Sequence, residues 1–180
     1  MPQPLVTLVA EVAELLRQTR TRIVFAESCT GGLVSAALAR VPGISEFHCG
    51  SAVVYRLDTK SRWLDVPETL LLDPGPVSES VARAMALGAL QTTPEAGLAA
   101  SITGHLGPQA PPEQDGQIFI AIARRDASAP DKAMVTVVED RLPAEFPELP
   151  LTFGDTAREQ RQWKAVERVL SCVRAELARN

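Results

Sequence analysis

The chain has 180 residues with 22 acidic and 18 basic side chains, a formal charge of −4, and is 46% hydrophobic and 22% charged. These proportions fit an ordinary soluble globular protein able to bury roughly 70% of its unfolded surface around one core. They offer no basic patch for nucleic acid or an anionic membrane, and no apolar run of the roughly 18 residues that a membrane span needs.

In chain order, Leu5, Leu8, Val9, Val12, Leu15 and Leu16 recur every three or four residues and predict an amphipathic helix. Its acids and the missing basic leader separate it from an export signal. Ile23 to Ala26 is apolar without alternation, the pattern of a strand covered on both faces. After Gly32, LVSAALARV reads as a helix stopped by Pro42-Gly43. Ala52 to Tyr55 predicts a second strand, and LDTKSRWLDV a helix of two to three turns. PETLLLDPGPVSES, broken by Pro67, Pro74 and Pro76, is expected to be mostly loop, with Ser78 or Ser80 capping a helix over SVARAMALGALQ.

GLAASIT, QIFIAIA and MVTVVED follow as strands, the last two joined as a hairpin through RRDASAPDK. Pro143, Pro147 and Pro150 keep the next dozen residues extended, and a last helix spans about Thr156 to Ala178. Helices alternating with strands, then a hairpin, predict a single-domain layered α/β sandwich, a mixed β-sheet flanked by helices. Cys29, Cys49 and Cys172 are odd in number and widely spaced, with no CxxC pair. They point to a reducing, cytoplasmic setting and to neither a disulfide framework nor a metal site.

The stretch FAESCTGG, residues 25–32, stands out. It leaves a buried strand and opens a helix, where ligands of α/β sheets sit and where free N–H groups suit an oxyanion or phosphate. Gly31 and Gly32 allow close backbone approach. The alternative is that Ser28 or Thr30 only caps the helix. The loop is neither GxxxxGK[ST], GxGxxG nor GxSxG.

Ser28 needs a base to attack a carbonyl, and His48 and His105 lie in no catalytic pattern. At about 100° per residue, Leu57, Lys60, Trp63 and Leu64 share one arc and Asp58, Arg62 and Asp65 the other, so Lys60 is the lone charge in an apolar stripe. Either its ammonium snorkels to water, or burial lowers its pKa and frees an amine to take the serine proton. Ser45 and Tyr55 are candidate relays or simply a turn residue and a strand-end aromatic. Cys29 is a rival nucleophile, or a small packing residue under the loop.

AESCTGGLVSAAL, VPGISEF, VVYRLDTKSRWLDVP and GPVSESVARAMALGAL, taken together and in this order, resemble the CinA C-terminal family, named for competence/damage-inducible proteins and including the nicotinamide-nucleotide amidases. The blocks are clear from about residue 5 to 123 and weaker beyond. The resemblance is to the stand-alone amidase form, without the extra N-terminal domain of longer members.

It implies hydrolysis of nicotinamide mononucleotide to nicotinate mononucleotide and ammonia by serine and lysine, with no metal and no cofactor. Ser28 and Lys60 fall on the matching catalytic positions, with Ser45 and Tyr55 retained. Glu27, Thr30, Gly31, Gly32, Thr103, Gly104, Gly107, Arg158 and Arg161 are the substrate-binding positions it suggests. The expected partner is a small pyridine nucleotide, with homo-oligomerisation left open.

Departures are visible too. In ITGHLGPQAPPEQDG, Ala110 and Pro111 replace two expected glycines and His105 an aliphatic residue. In FGDTAREQR, Phe153 and Arg161 keep the family spacing, Gly154 is one place early, and Ala157 stands at the inner arginine position beside Arg158. Arg56 replaces a small or polar residue and is an alternative phosphate ligand. These departures keep two other readings open: a nucleotide- or partner-binding relative with weak turnover, and an amidase for another small amide.

Overall fold

The computed structural model describes residues 3–126, 128–129, 132–144 and 156–179. Strands β1 (Ile23–Glu27), β2 (His48–Val53), β3 (Leu98–Gly104), β4 (Gln117–Arg125) and β5 (Ala133–Arg141) form one sheet in the order β2-β1-β3-β4-β5. β1 is parallel to β2 and β3, whereas β3, β4 and β5 pair antiparallel. Helices α1 (Gln3–Thr19), α2 (Leu33–Leu38), α3 (Leu57–Leu64), α4 (Glu68–Leu72), α5 (Glu79–Thr92) and α6 (Ala157–Leu177) complete an α/β fold around this mixed sheet. No helix among the described residues is long and apolar enough to cross a membrane.

Strand side chains alternate between the two faces. Ile118, Ile120 and Ile122 of β4 join the core beneath α1, α2 and α6. Phe119, Ala121 and Ala123 face the other way, with Val81, Met85 and Ala89 of α5. The small alanines let α5 lie close to the sheet. Ser78 caps α5 by accepting from the Val81 amide at 3.4 Å, and Thr156 with Glu159 forms the reciprocal cap that starts α6.

Three elements differ from the sequence expectation. β2 begins four residues before the apolar run, at His48, and ends before Tyr55. As an edge strand it is held mainly by its parallel pairing with β1, and its residues are only partly buried, so hydropathy marks it poorly. ETLLL forms the short helix α4 inside the expected loop, with Pro67 at its N-cap. In α3 only Lys60 and Leu64 are buried, while Leu57 and Trp63 of the same arc are exposed. The expectations for Pro147, Pro150, Phe153 and Gly154 lie outside the described residues.

Gly88 sets the distance between α5 and α3. A Cβ there would sit 2.0 Å from the Leu64 carbonyl oxygen, and the obstacle is backbone, which no rotamer change relieves. Gly88→Ala is expected to destabilise the fold by about 1–3 kcal/mol in urea unfolding. Because the end of α3 must move, the same substitution should also displace Lys60.

Candidate active site

The alternation of β1 sends Ile23 and Phe25 to the α1/α6 side, and Val24 and Ala26 to the α5 side. Continued past the strand end, it places Glu27 and Ser28 on opposite faces. Glu27 is 1% exposed. Its carboxylate accepts from Thr30 Oγ1 at 2.8 Å, from the amides of Gly32, Val34 and Ser35 at 3.0, 3.0 and 2.9 Å, and from Ser51 Oγ at 3.0 Å. A buried carboxylate thus caps the opening of α2 and ties it to β2. Gly31 and Gly32 take φ of +62° and +99° to make this turn, values that side-chain-bearing residues rarely adopt.

On the other face Lys60, 2% exposed, ends at Ser28. Its Nζ lies 2.8 Å from Ser28 Oγ and 2.7 Å from the Val54 carbonyl oxygen. No carboxylate contacts the amine among the described residues, and burial pushes its pKa from 10.5 down to about 8. Two of three donors on an ammonium have acceptors here. In the neutral amine, an N–H can still bond Val54 while the lone pair turns to receive the Ser28 proton. Cys29, next in sequence, packs in the core on the α1/α2/α6 side, and burial raises its thiol to about 12. It remains a protonated thiol, so the expectation of a rival nucleophile gives way to packing.

Ser28 and Lys60 open into a cleft of about 500 Å³ at the carboxyl ends of the parallel strands. One wall carries Tyr55 and Leu57, and the other Thr103, Gly104, His105 and Gly107 of the second loop. Thr103 donates to the Pro76 carbonyl at 2.8 Å, which joins that loop to the segment before α5. Arg158, from the first turn of α6, spans the mouth. It donates to Tyr55 Oη at 2.7 Å and to the Gly107 carbonyl.

Several expected site residues belong elsewhere. Ser45 is exposed in a 3₁₀ turn at Ile44–Glu46, beside Arg22 and Glu95 at the amino ends of the strands. It cannot relay a proton, and the direct contact of Ser28 with Lys60 needs no relay. Tyr55, 57% exposed, is a wall of the cleft whose hydroxyl faces Arg158. Glu27 and Thr30 organise the loop from beneath and face no substrate. The Gly31 amide donates to the Ser28 carbonyl at 3.1 Å, and the Gly32 amide to Glu27, so neither is a free anion donor.

Arg161 is buried, its two terminal nitrogens each 2.7 Å from the Asp115 carboxylate and its Nε 2.9 Å from the Pro143 carbonyl. It fastens the loop after β3 to α6, and its bonds hold the Asp115 carboxyl below the ordinary carboxylate value. Arg56 pairs with Asp58 outside the cleft. Two contributors escape sequence reading: the Val54 carbonyl, which any residue would supply, and Gln162, which donates to the Cys29 carbonyl at 3.2 Å. Gln162 lies one helical turn beyond Arg158 on the same face, the only signal that could have found it.

The model of the CinA C-terminal domain family matches residues 5–142, and the chain belongs to that family. A CinA-like protein of Geobacter metallireducens is 44% identical over 119 residues, 65% of this chain and 29% of the relative. One of Gloeobacter violaceus is 42% identical over 120 residues, 65% and 28%. The chain therefore spans less than a third of the length of these relatives. Among solved structures, competence/damage-inducible protein CihA of Agrobacterium tumefaciens superposes with a TM-score of 0.82 at 28% identity, over 97% of this chain and 96% of that one. A CinA superfamily protein of Klebsiella pneumoniae gives 0.82 at 23% identity, over 98% and 99%, a likeness of fold.

Below pH 8 Lys60 is protonated in both the folded and the unfolded chain, and the folded state carries the full desolvation penalty. Between pH 8 and 10.5 the unfolded chain holds a proton that the folded chain has released, so stability rises with pH across that window. The gap corresponds to about 3–4 kcal/mol at 1.4 kcal/mol per unit. Lys60→Met is accordingly expected to be more stable than the parent at pH 7 in urea unfolding, with the advantage shrinking by pH 10. An equal difference at both pH values would contradict this account.

Proposed function

We propose that the chain is a serine–lysine amidase that hydrolyses the carboxamide of nicotinamide mononucleotide to nicotinate mononucleotide and ammonia. The observation that carries the reading is the 2.8 Å contact between Lys60 Nζ and Ser28 Oγ at the floor of an open cleft. The substrate is inferred from the family.

In this mechanism the neutral Lys60 amine takes the Ser28 proton as Oγ bonds to the amide carbon. The tetrahedral intermediate expels nitrogen, to which Lys60 returns the proton, and ammonia leaves behind an ester on Ser28. Water then attacks that ester with Lys60 again as base, and the carboxylate and free Ser28 are restored. With the Gly31 and Gly32 amides engaged and the Cys29 amide turned to its own sulfur, the loop donor left for the oxyanion is the amide of Thr30, which has no partner among the described residues. One well-placed donor of this kind is worth roughly 3–4 kcal/mol. Arg158 supplies the cation at the mouth for a phosphate.

The second loop favours a second reading, an amidase for another small amide. His105 and Ala110 line the cleft, and Arg161, the outer arginine of the family spacing, is turned away into its pair with Asp115.

Ammonia release on mixing with nicotinamide mononucleotide tests the first reading. Ser28→Ala and Lys60→Met should each lower turnover by at least about 10³-fold while the folded state persists. Retained turnover in Ser28→Ala would remove the mechanism. The rate should climb with pH through about 8 as the Lys60 amine loses its proton, then level. Arg158→Ala should raise KM for the nucleotide about tenfold or more with a smaller effect on kcat, as loss of a charged contact to a remote group does. An unchanged KM would assign Arg158 to the walls alone.

A further inference from the structure

We propose that Gln162 is a positioning residue for the acyl step: it orients the Cys29–Thr30 peptide so that the Thr30 amide is aimed at the oxygen that turns negative when Ser28 attacks. The inference rests on the serine–lysine reading and adds the contact that sets its oxyanion donor.

Ser28 to Gly31 is a closed turn, with the Gly31 amide 3.1 Å from the Ser28 carbonyl oxygen. That bond fixes the ends of the turn, but its central unit, the Cys29–Thr30 peptide, makes no bond inside it. Turns that share such a closing bond differ in how the central unit is rotated. The fully flipped form needs a positive φ at its third residue, and among the described side-chain-bearing residues only Arg20 and Asp65 have one. Thr30 therefore excludes the flip, and what remains to be set is the tilt of the unit. Gln162 sets it. Its Nε2 donates to the Cys29 carbonyl at 3.2 Å, the one bond that this peptide makes among the described residues.

A trans peptide points its carbonyl and its N–H in opposite directions. Gln162 stands on α6, whose Ala165, Val166 and Val169 share the core with Phe25 on one face of the sheet. Ser28 and Lys60 meet on the other face. Drawing the carbonyl toward α6 thus turns the Thr30 N–H away from α6, to the side of the Ser28 hydroxyl. Thr30 is buried, and its amide has no partner among the described residues. Buried backbone donors are nearly always paired, so this one is held for an acceptor that arrives with the substrate. The Thr30 side chain is itself tied to Glu27 at 2.8 Å, so the peptide is gripped from both of its residues. One turn earlier on α6, Arg158 spans the mouth, and a single helix closes the cleft and trims its floor.

The test uses Gln162→Met, similar in length and unable to donate, and Gln162→Glu, which keeps the shape but loses the donor when ionised. In both, kcat for ammonia release should fall about tenfold, with KM for nicotinamide mononucleotide within about twofold of the parent, because the oxyanion exists only after attack. The readout that packing alone would not move is affinity for the aldehyde analogue of the nucleotide, with CHO in place of the carboxamide. Ser28 Oγ bonds to its carbonyl carbon, the carbonyl π electrons pass to oxygen and the serine proton to Lys60, so the adduct carries the same oxyanion. Its dissociation constant should rise by the factor by which kcat/KM falls, while that of nicotinate mononucleotide stays within about twofold. Unchanged kcat and aldehyde affinity in Gln162→Met would overturn the proposal. So would equal losses for the aldehyde and for nicotinate mononucleotide, which would leave Gln162 as a tie between α6 and the loop. A parent chain that neither releases ammonia nor binds the aldehyde would remove the serine–lysine reading itself, and this inference with it.

Discussion

A lysine nitrogen held in a nearly dry pocket, with a serine hydroxyl and one backbone carbonyl as its acceptors, is the constraint around which the chain is arranged. An unpaired buried ammonium is unfavourable by several kcal/mol unless it sheds its proton. The protein supplies no carboxylate to steady the charged form, so the equilibrium moves toward the neutral amine. A carboxylate in that position would have stabilised the fold and removed the base. The proposed chemistry therefore depends on an instability that the rest of the domain has to carry.

The domain carries it by fixing both partners from opposite sides. Ser28 stands just beyond a fully buried strand, and its loop is held below by Glu27 and from the side by Gln162. Lys60 sits on a helix of only eight residues, too short to be stable alone, and this helix is pressed against α5 at Gly88. The sheet's two-residue alternation then does the sorting. The same strand that presents a carboxylate to its own helix on one face presents the hydroxyl to the lysine on the other.

Much of this was legible in the sequence because it follows from periodicity. The helices at both ends, the apolar β1 and the hairpin of β4 and β5 all fall where hydropathy predicts them. The glycine-rich loop and the isolation of Lys60 on its apolar arc singled out the two groups that meet, although the sequence left open whether that ammonium snorkels to water. What escaped depends on tertiary geometry. Ser45 lies near Tyr55 in sequence but at the other end of a parallel strand, a distance that order along the chain cannot reveal. Glu27 was among the substrate-binding positions that the family resemblance suggests, yet strand alternation turns it away. Arg161 kept the family spacing, but Asp115 sits in a loop far away in sequence, and only the fold brings them together.

The two ends of the sheet behave differently for one physical reason. At the carboxyl ends of β1 and β3 the chain turns through the glycine-bearing loops at Gly31–Gly32 and Gly104–Gly107, and the backbone itself can approach a ligand. At the amino ends the helices α1 and α5 finish, and their last carbonyls take backbone amides, threonine hydroxyls and, at Leu90, the Arg125 guanidinium as donors, so the backbone there is spent on closing the helices.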